Sequence, residues 1–171
     1  MTILDLTHEQ KNPPSVKRKH LLGRNGKVAL RDPRLITGIV VHQTACFFGV
    51  SPAQLRASDG DEALARHRRG LDVACHVIAF ADGVAVHVNP FEWHVHHGNG
   101  FNPTTLGLEI EGMYQGGLSR PRKSGEVPLR WKTIRAAREA IDYMIALGKK
   151  RGIILTEIYA HRQSSSDRRA D

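Results

Sequence analysis

Ile36-Thr37-Gly38-Ile39-Val40-Val41-His42 decides the fold class. The run is β-branched and apolar, so it reads as a buried strand that ends at a histidine. Working outward, Val73 to Phe80 and Val84 to Val88 are two further strands, joined by Asp82-Gly83 as a hairpin. Leu106 to Met113 is a fourth strand, and Ile153 to Ala160 a last one that ends at His161. Between these two lies Trp131 to Lys150, where Ile134, Ala137, Ile141, Ile145 and Leu147, with Tyr143 and Met144 alongside, recur at helical spacing. Lys149, Lys150 and Arg151 suit the negative end of that helix dipole. A short helix fits Asp61 to Arg69, and residues 46–60 read as a loop or a short helix begun at Ser51-Pro52. The expectation is an α/β fold: a single domain with a central mixed β-sheet flanked by helices.

Two segments stand apart. Residues 1–35 read as a basic N-terminal arm, with the proline-broken stretch Lys11 to His20 and a hairpin turn at Asn25-Gly26, so the folded domain is expected over 36–171. Gly116 to Pro128 reads as a basic loop. The chain has 171 residues, 40% of them hydrophobic and 25% charged, which is ordinary usage for one compact domain. No apolar run reaches the ~18 residues needed to span a bilayer, and Met1 to Thr7 lacks the pattern of a signal peptide. Two cysteines, Cys46 and Cys75, cannot build a disulfide framework and are expected to be buried thiols.

Lys plus Arg outnumber Asp plus Glu by 25 to 17, a net charge of +8 that favours an anionic partner such as nucleic acid or an anionic cell envelope. Aromatic content is only 6% and no RNA-reading or helix-turn-helix signature is present, so the expectation is no nucleic acid. Ten histidines point instead to metal or proton chemistry. His42 and His161 stand at strand ends, where a scaffold presents groups to a loop surface, and Asp171 follows His161 by ten residues. Two imidazoles, one carboxylate and a water form a catalytic zinc set. Asp167 is a rival third ligand. Glu109 and Glu111 share a strand face by the period-two rule, so periodicity leaves the choice between them open.

Four ordered motifs carry a resemblance. Ile39-Val40-Val41-His42-Gln43-Thr44-Ala45, then Val73-Ala74-Cys75-His76-Val77-Ile78 with Asp82-Gly83, then Asn102 with Leu106-Gly107-Leu108-Glu109-Ile110-Glu111-Gly112, then Tyr159-Ala160-His161-Arg162-Gln163 with Arg169-Ala170-Asp171, are similar to the zinc-dependent N-acetylmuramoyl-L-alanine amidases. That family includes phage lysozyme-type amidases and peptidoglycan recognition proteins. The resemblance covers residues 36–171 apart from 114–130. It implies a peptidoglycan recognition protein-like fold, zinc held by His42, His161 and Asp171, and Glu109 facing the metal as proton carrier. Arg169 stands where the family has a lysine. An arginine keeps the charge but is effectively never deprotonated, so it can stabilise an oxyanion without donating a proton. Alignment on Gly98 places His96 at a groove-lining histidine, and Asn102 joins it as a substrate-binding candidate.

The implied reaction is hydrolysis of the amide between N-acetylmuramic acid and L-alanine. The implied partner is peptidoglycan or a muropeptide, met by a monomer that is made in the cytoplasm and acts on the wall after release or secretion. A related module that binds muropeptide without cutting it is the alternative function. The remaining histidines have plainer readings. His94 and His97 are solvated loop residues, or members of a rival metal cluster with His96. His8, His20, His67 and His87 are surface residues, and His76, in mid-strand, is a core histidine or one that supports the site residues from behind. Glu111 is a salt-bridged strand residue, and the 131–150 stripe is core.

Overall fold

The computed structural model describes residues 3–10, 28–114 and 124–161. Six strands form one sheet: β1 (Ile3–Asp5), β2 (Gly38–Gln43), β3 (Val77–Ala79), β4 (Ala85–His87), β5 (Thr105–Ile110) and β6 (Glu157–Ala160). Their order is β1-β4-β3-β5-β2-β6. Only the β3–β4 hairpin is antiparallel; the other neighbours are parallel. The sheet is therefore mixed, as the strand pattern predicts. The Ile36–His42 run becomes β2, second from one edge, with Ile39 and Val40 fully buried.

Among the described residues three α-helices flank the sheet: α1 (Pro52–Arg56), α2 (Glu62–His67) and α3 (Trp131–Lys150). Ser51 begins α1 with a capping box: its hydroxyl accepts from the Gln54 backbone N–H, while the Gln54 side chain accepts from that of Ser51. Asp61 begins α2 by accepting from the Leu64 N–H at 2.9 Å. On one sheet face, α3 packs over Ile39, Val77, Ala79, Ala85, Leu106 and Leu108. On the other, Leu71, Cys75, Ile78, Phe80, Val86 and Val88 form a second cluster joined by Leu64 of α2.

Several expectations need correction. Residues 3–5, placed in the arm, pair in parallel with β4 and extend the sheet. A three-residue strand is too short for a periodic signal, and its neighbour is remote in sequence. The buried stripe of α3 is Thr133, Ala136, Ala137, Ala140, Met144 and Gly148, with Ile145 42% exposed. Small side chains bring the helix axis close to the sheet, and Ile141, Tyr143 and Leu147 pack along its margins. Cys46 is exposed, whereas Cys75 is buried as expected. His67 is buried, 2.9 Å from Asp82 Oδ2 and edge-on to Phe80. The expected turn at Asn25-Gly26 and the stretch Lys11 to His20 lie outside the described residues, as does most of the loop after Gly116.

His87 is also buried rather than on the surface, 1% exposed within β4. Its Nε2 donates to the Asn89 carbonyl at 3.0 Å, and its Nδ1 accepts from the Tyr143 hydroxyl at 2.8 Å. Burial pushes its pKa down to about 4, against the attraction of Asp5. An unfolded histidine takes up its proton near pH ~6.5, and this one does so only near 4. Its contribution to stability is thus complete above pH ~6.5 and is lost as the pH falls towards 4, by up to about 3 kcal/mol. Urea unfolding between pH 7 and 4 should show this loss, and His87→Gln should show correspondingly less of it.

Candidate functional site

Strands β5, β2 and β6 run side by side in the same direction, so their carboxyl ends open together. In open α/β sheets this is where ligands are held. The register sets His42 of β2 directly beside Glu109 of β5. On the other side Val41 pairs with Ala160, so the next step brings His161 level with His42. Period-two alternation puts Leu106, Leu108 and Ile110 towards α3 and leaves Gly107 and Glu109 on the opposite face. His42 shares that face. Its ring centroid lies 4.2 Å from that of His161, and its Nδ1 lies 4.0 Å from Glu109 Oε1. Three side chains from distant parts of the sequence thus stand in one row.

Glu109 and Glu111 separate clearly. The Glu109 side chain is only 13% exposed, its Oε2 is buried without a hydrogen-bond partner among the described residues, and desolvation raises its pKa to about 8. Glu111, fully buried just past the end of β5, is fully engaged. It accepts from the Phe48 and Ala81 backbone N–H groups at 2.7 and 2.8 Å and from Arg66 Nη2 at 2.5 Å. Glu111 is the salt-bridged structural residue that the sequence suggests. Glu109 is the carboxyl beside the imidazoles.

The loop from Asn89 to Thr104 folds back over this face. Arg31, from the segment read as an arm, secures it: its guanidinium donates to the carbonyls of Phe91, Asn102 and Thr105. Burial lowers the Arg31 pKa to about 10. Asn102 Oδ1 accepts from the Gly98 N–H at 2.5 Å, closing the loop on itself. Within the loop Val95 and His97 turn inward and His96 outward. His97, read as a solvated residue, is only 7% exposed. Its Nε2 is 3.1 Å from the Thr105 carbonyl and its Nδ1 is 3.3 Å from His42 Nε2. Burial pushes its pKa down to about 4. The period-two alternation from the apolar Val95 is the signal that could have found it. His96 is exposed and touches His94, ring centroids 5.1 Å apart.

His76 anchors the loop from beneath. Its Nδ1 accepts from the Gly107 N–H at 2.9 Å, so its Nε2 carries the proton and donates to the Trp93 carbonyl at 3.1 Å. Burial and the nearby Arg31 cation hold its pKa well below the usual imidazole range.

Among the described residues no group of three or more His, Cys, Asp and Glu side chains is placed to hold a metal ion, and in the 94–97 stretch His97 is buried while His96 is exposed. Asp171, Asp167 and Arg169 lie outside the described residues. What is described suits a divalent transition metal: two adjacent imidazoles at strand ends and a buried carboxyl oxygen with no other partner. A cavity of about 690 Å³ lies elsewhere, lined by Phe47, Arg66, Asp82, Tyr114, Arg130 and Trp131 among others, and it contains none of the row. No helix among the described residues is long and apolar enough to cross a membrane.

The family model for N-acetylmuramoyl-L-alanine amidase matches residues 32–171, and the chain belongs to that family. Solved structures share its fold. The Ph2119 endolysin of a Thermus scotoductus bacteriophage superposes with a TM-score of 0.55 at 18% identity, over 96% of this chain and 88% of that one. The N-acetylmuramoyl-L-alanine amidase LysC of Clostridium intestinale gives 0.56 at 14% identity, over 97% and 86%. Drosophila PGRP-LB gives 0.56 at 15% identity, over 96% and 85%. Among curated proteins none matched the chain.

Proposed function

We propose that the protein is a zinc-dependent N-acetylmuramoyl-L-alanine amidase that hydrolyses the amide joining N-acetylmuramic acid to the first L-alanine of the stem peptide. The observation that supports this most directly is the row of Glu109, His42 and His161 at the carboxyl ends of three parallel strands. His42 and His161 would hold the zinc, with Asp171 as third ligand. Bound there, zinc supplies a Lewis acid for the scissile carbonyl and makes water a nucleophile near neutral pH. Glu109 takes a proton from the attacking water and delivers it to the departing amine nitrogen. Its desolvated pocket suits a group that must accept and then give up a proton near pH 7. Arg169 acts as the fixed cation for the developing oxyanion.

Substrate contact falls to the exposed His96 at the loop crest, with Asn102 fixing the loop that carries it. The +8 charge attracts the protein to an anionic envelope, where it acts as a monomer after release or secretion. The test is metal analysis of the purified chain combined with digestion of sacculi. One zinc per chain and new L-alanine amino termini are expected, and His42→Ala should lose both. Zinc without new amino termini would instead identify a muropeptide-binding module.

A further inference from the structure

The imidazole ring of His97 lies across the sheet face immediately over Gly107. A Cβ at position 107 would sit 2.7 Å from His97 Cγ, closer than any real contact, so the strand has a glycine where the ring must rest. Held there, His97 touches two polar partners. At one end its Nε2 is 3.1 Å from the Thr105 carbonyl oxygen. At the other its Nδ1 is 3.3 Å from Nε2 of His42. A carbonyl oxygen can only accept, so the His97 Nε2 carries a hydrogen and donates. A neutral imidazole has one N–H, which leaves Nδ1 of His97 as an acceptor. The facing Nε2 of His42 must then be the donor, and the lone pair of His42 is assigned to Nδ1. That is the nitrogen 4.0 Å from Glu109 Oε1, on the side where the metal is proposed.

We infer that His97 is a positioning residue: the hydrogen-bond line Thr105 carbonyl–His97–His42 fixes the ring orientation and tautomer of His42 so that its Nδ1 is presented as a metal donor. The inference rests on the zinc reading of His42 and adds to it the residue that prepares the donor. Partners of this kind around a ligand histidine raise its basicity, and their loss typically weakens metal affinity by 10–100-fold. Three features of the chain are then explained together: the inward turn of His97, the glycine at 107 and the securing of the loop by Arg31, whose guanidinium also donates to the Thr105 carbonyl.

The experiment uses the full chain. Long-range ¹H–¹⁵N spectra of the metal-free protein read the tautomer of each histidine. His42 is expected as the Nε2–H form with Nδ1 unprotonated, and His97 also as the Nε2–H form. In His97→Leu the His42 signature should move to a mixture of tautomers, and zinc affinity measured by competition with a chromophoric chelator should fall 10–100-fold. His97→Asn places an amide oxygen where Nδ1 stood, so it should restore the His42 signature and most of the affinity. An Nδ1–H form of His42 in the unsubstituted protein overturns the inference. So does a folded His97→Leu protein that binds zinc within twofold of the original. If the leucine variant does not fold, the unsubstituted spectrum and the asparagine variant still decide. If no zinc binds to any form, the zinc reading of the site fails, while the spectra decide separately whether His97 sets the tautomer of His42.

Discussion

Glu109→Gln is expected to lower kcat on purified sacculi by roughly 10²–10⁴ while leaving zinc content at one per chain. Glutamine keeps the shape and size of the side chain and removes its ability to carry a proton. The substitution does not touch the imidazoles, so binding of metal should persist. Thermal unfolding adds a second reading. In the metal-free protein the Glu109 carboxyl is desolvated, and its Oε2 has no partner among the described residues. A neutral amide is cheaper to bury, so the melting temperature of the metal-free variant should equal or exceed that of the parent. Activity within tenfold of the parent would remove Glu109 from the mechanism.

The second large effect comes two residues later and has the opposite character. Glu111→Ala should cost about 3 kcal/mol of stability, because two backbone N–H groups lose their acceptor and Arg66 loses its shortest ion pair, keeping only Asp82 at 3.7 Å as an acidic partner among the described residues. Arg66 keeps 25% of its side chain in contact with solvent, which holds the loss to the lower end of what breaking an ion pair with a buried partner usually costs. For a chain of this length the melting temperature should drop by roughly 6–12 °C. Calorimetry at pH 7 checks it; a shift under 2 °C would show that the Arg66 pair contributes little. The two glutamates, on one face by sequence periodicity, thus differ in their surroundings: Glu111 is fully hydrogen-bonded, and Glu109, the proposed proton carrier, has an Oε2 without a partner among the described residues.

Five of the six strands of the described sheet were legible from apolar runs bounded by turn signals, β1 being too short to give one, and α3 was legible because its pattern is long. The two short helices were readable from Ser51 and Asp61 at their starts. Burial was harder to read. His67, His87 and His97 are polar by type, and each is buried because a specific partner waits inside: Asp82, Tyr143 and His42. Such partners come from remote segments, which composition does not reveal. Arg31 was missed for the same reason, since its carbonyl acceptors lie on a loop far along the chain. The stripe of α3 was misplaced because large aliphatic residues mark the margins of a close helix–sheet contact and alanines its centre. Family resemblance selected Glu109 over Glu111, and the contrast in their hydrogen bonding now gives a physical ground for the distinction.

The alignment of His42, Glu109 and His161 along adjacent strands makes the backbone ladder a ruler for the three proposed site residues. Neighbouring strands are held about 4.8 Å apart whatever their side chains. Under the proposed function the geometry of the site is therefore inherited from the sheet, and the surrounding crossovers can diversify only where they carry no anchor to it. Of these, the stretch between β4 and β5 is partly committed, since it delivers His97. The connection from Gln43 to Ser51 is pinned to the end of β5 as well, by the Phe48 N–H on Glu111 and the Gly112 N–H on the Thr44 hydroxyl, so altered recognition there has to keep these two anchors.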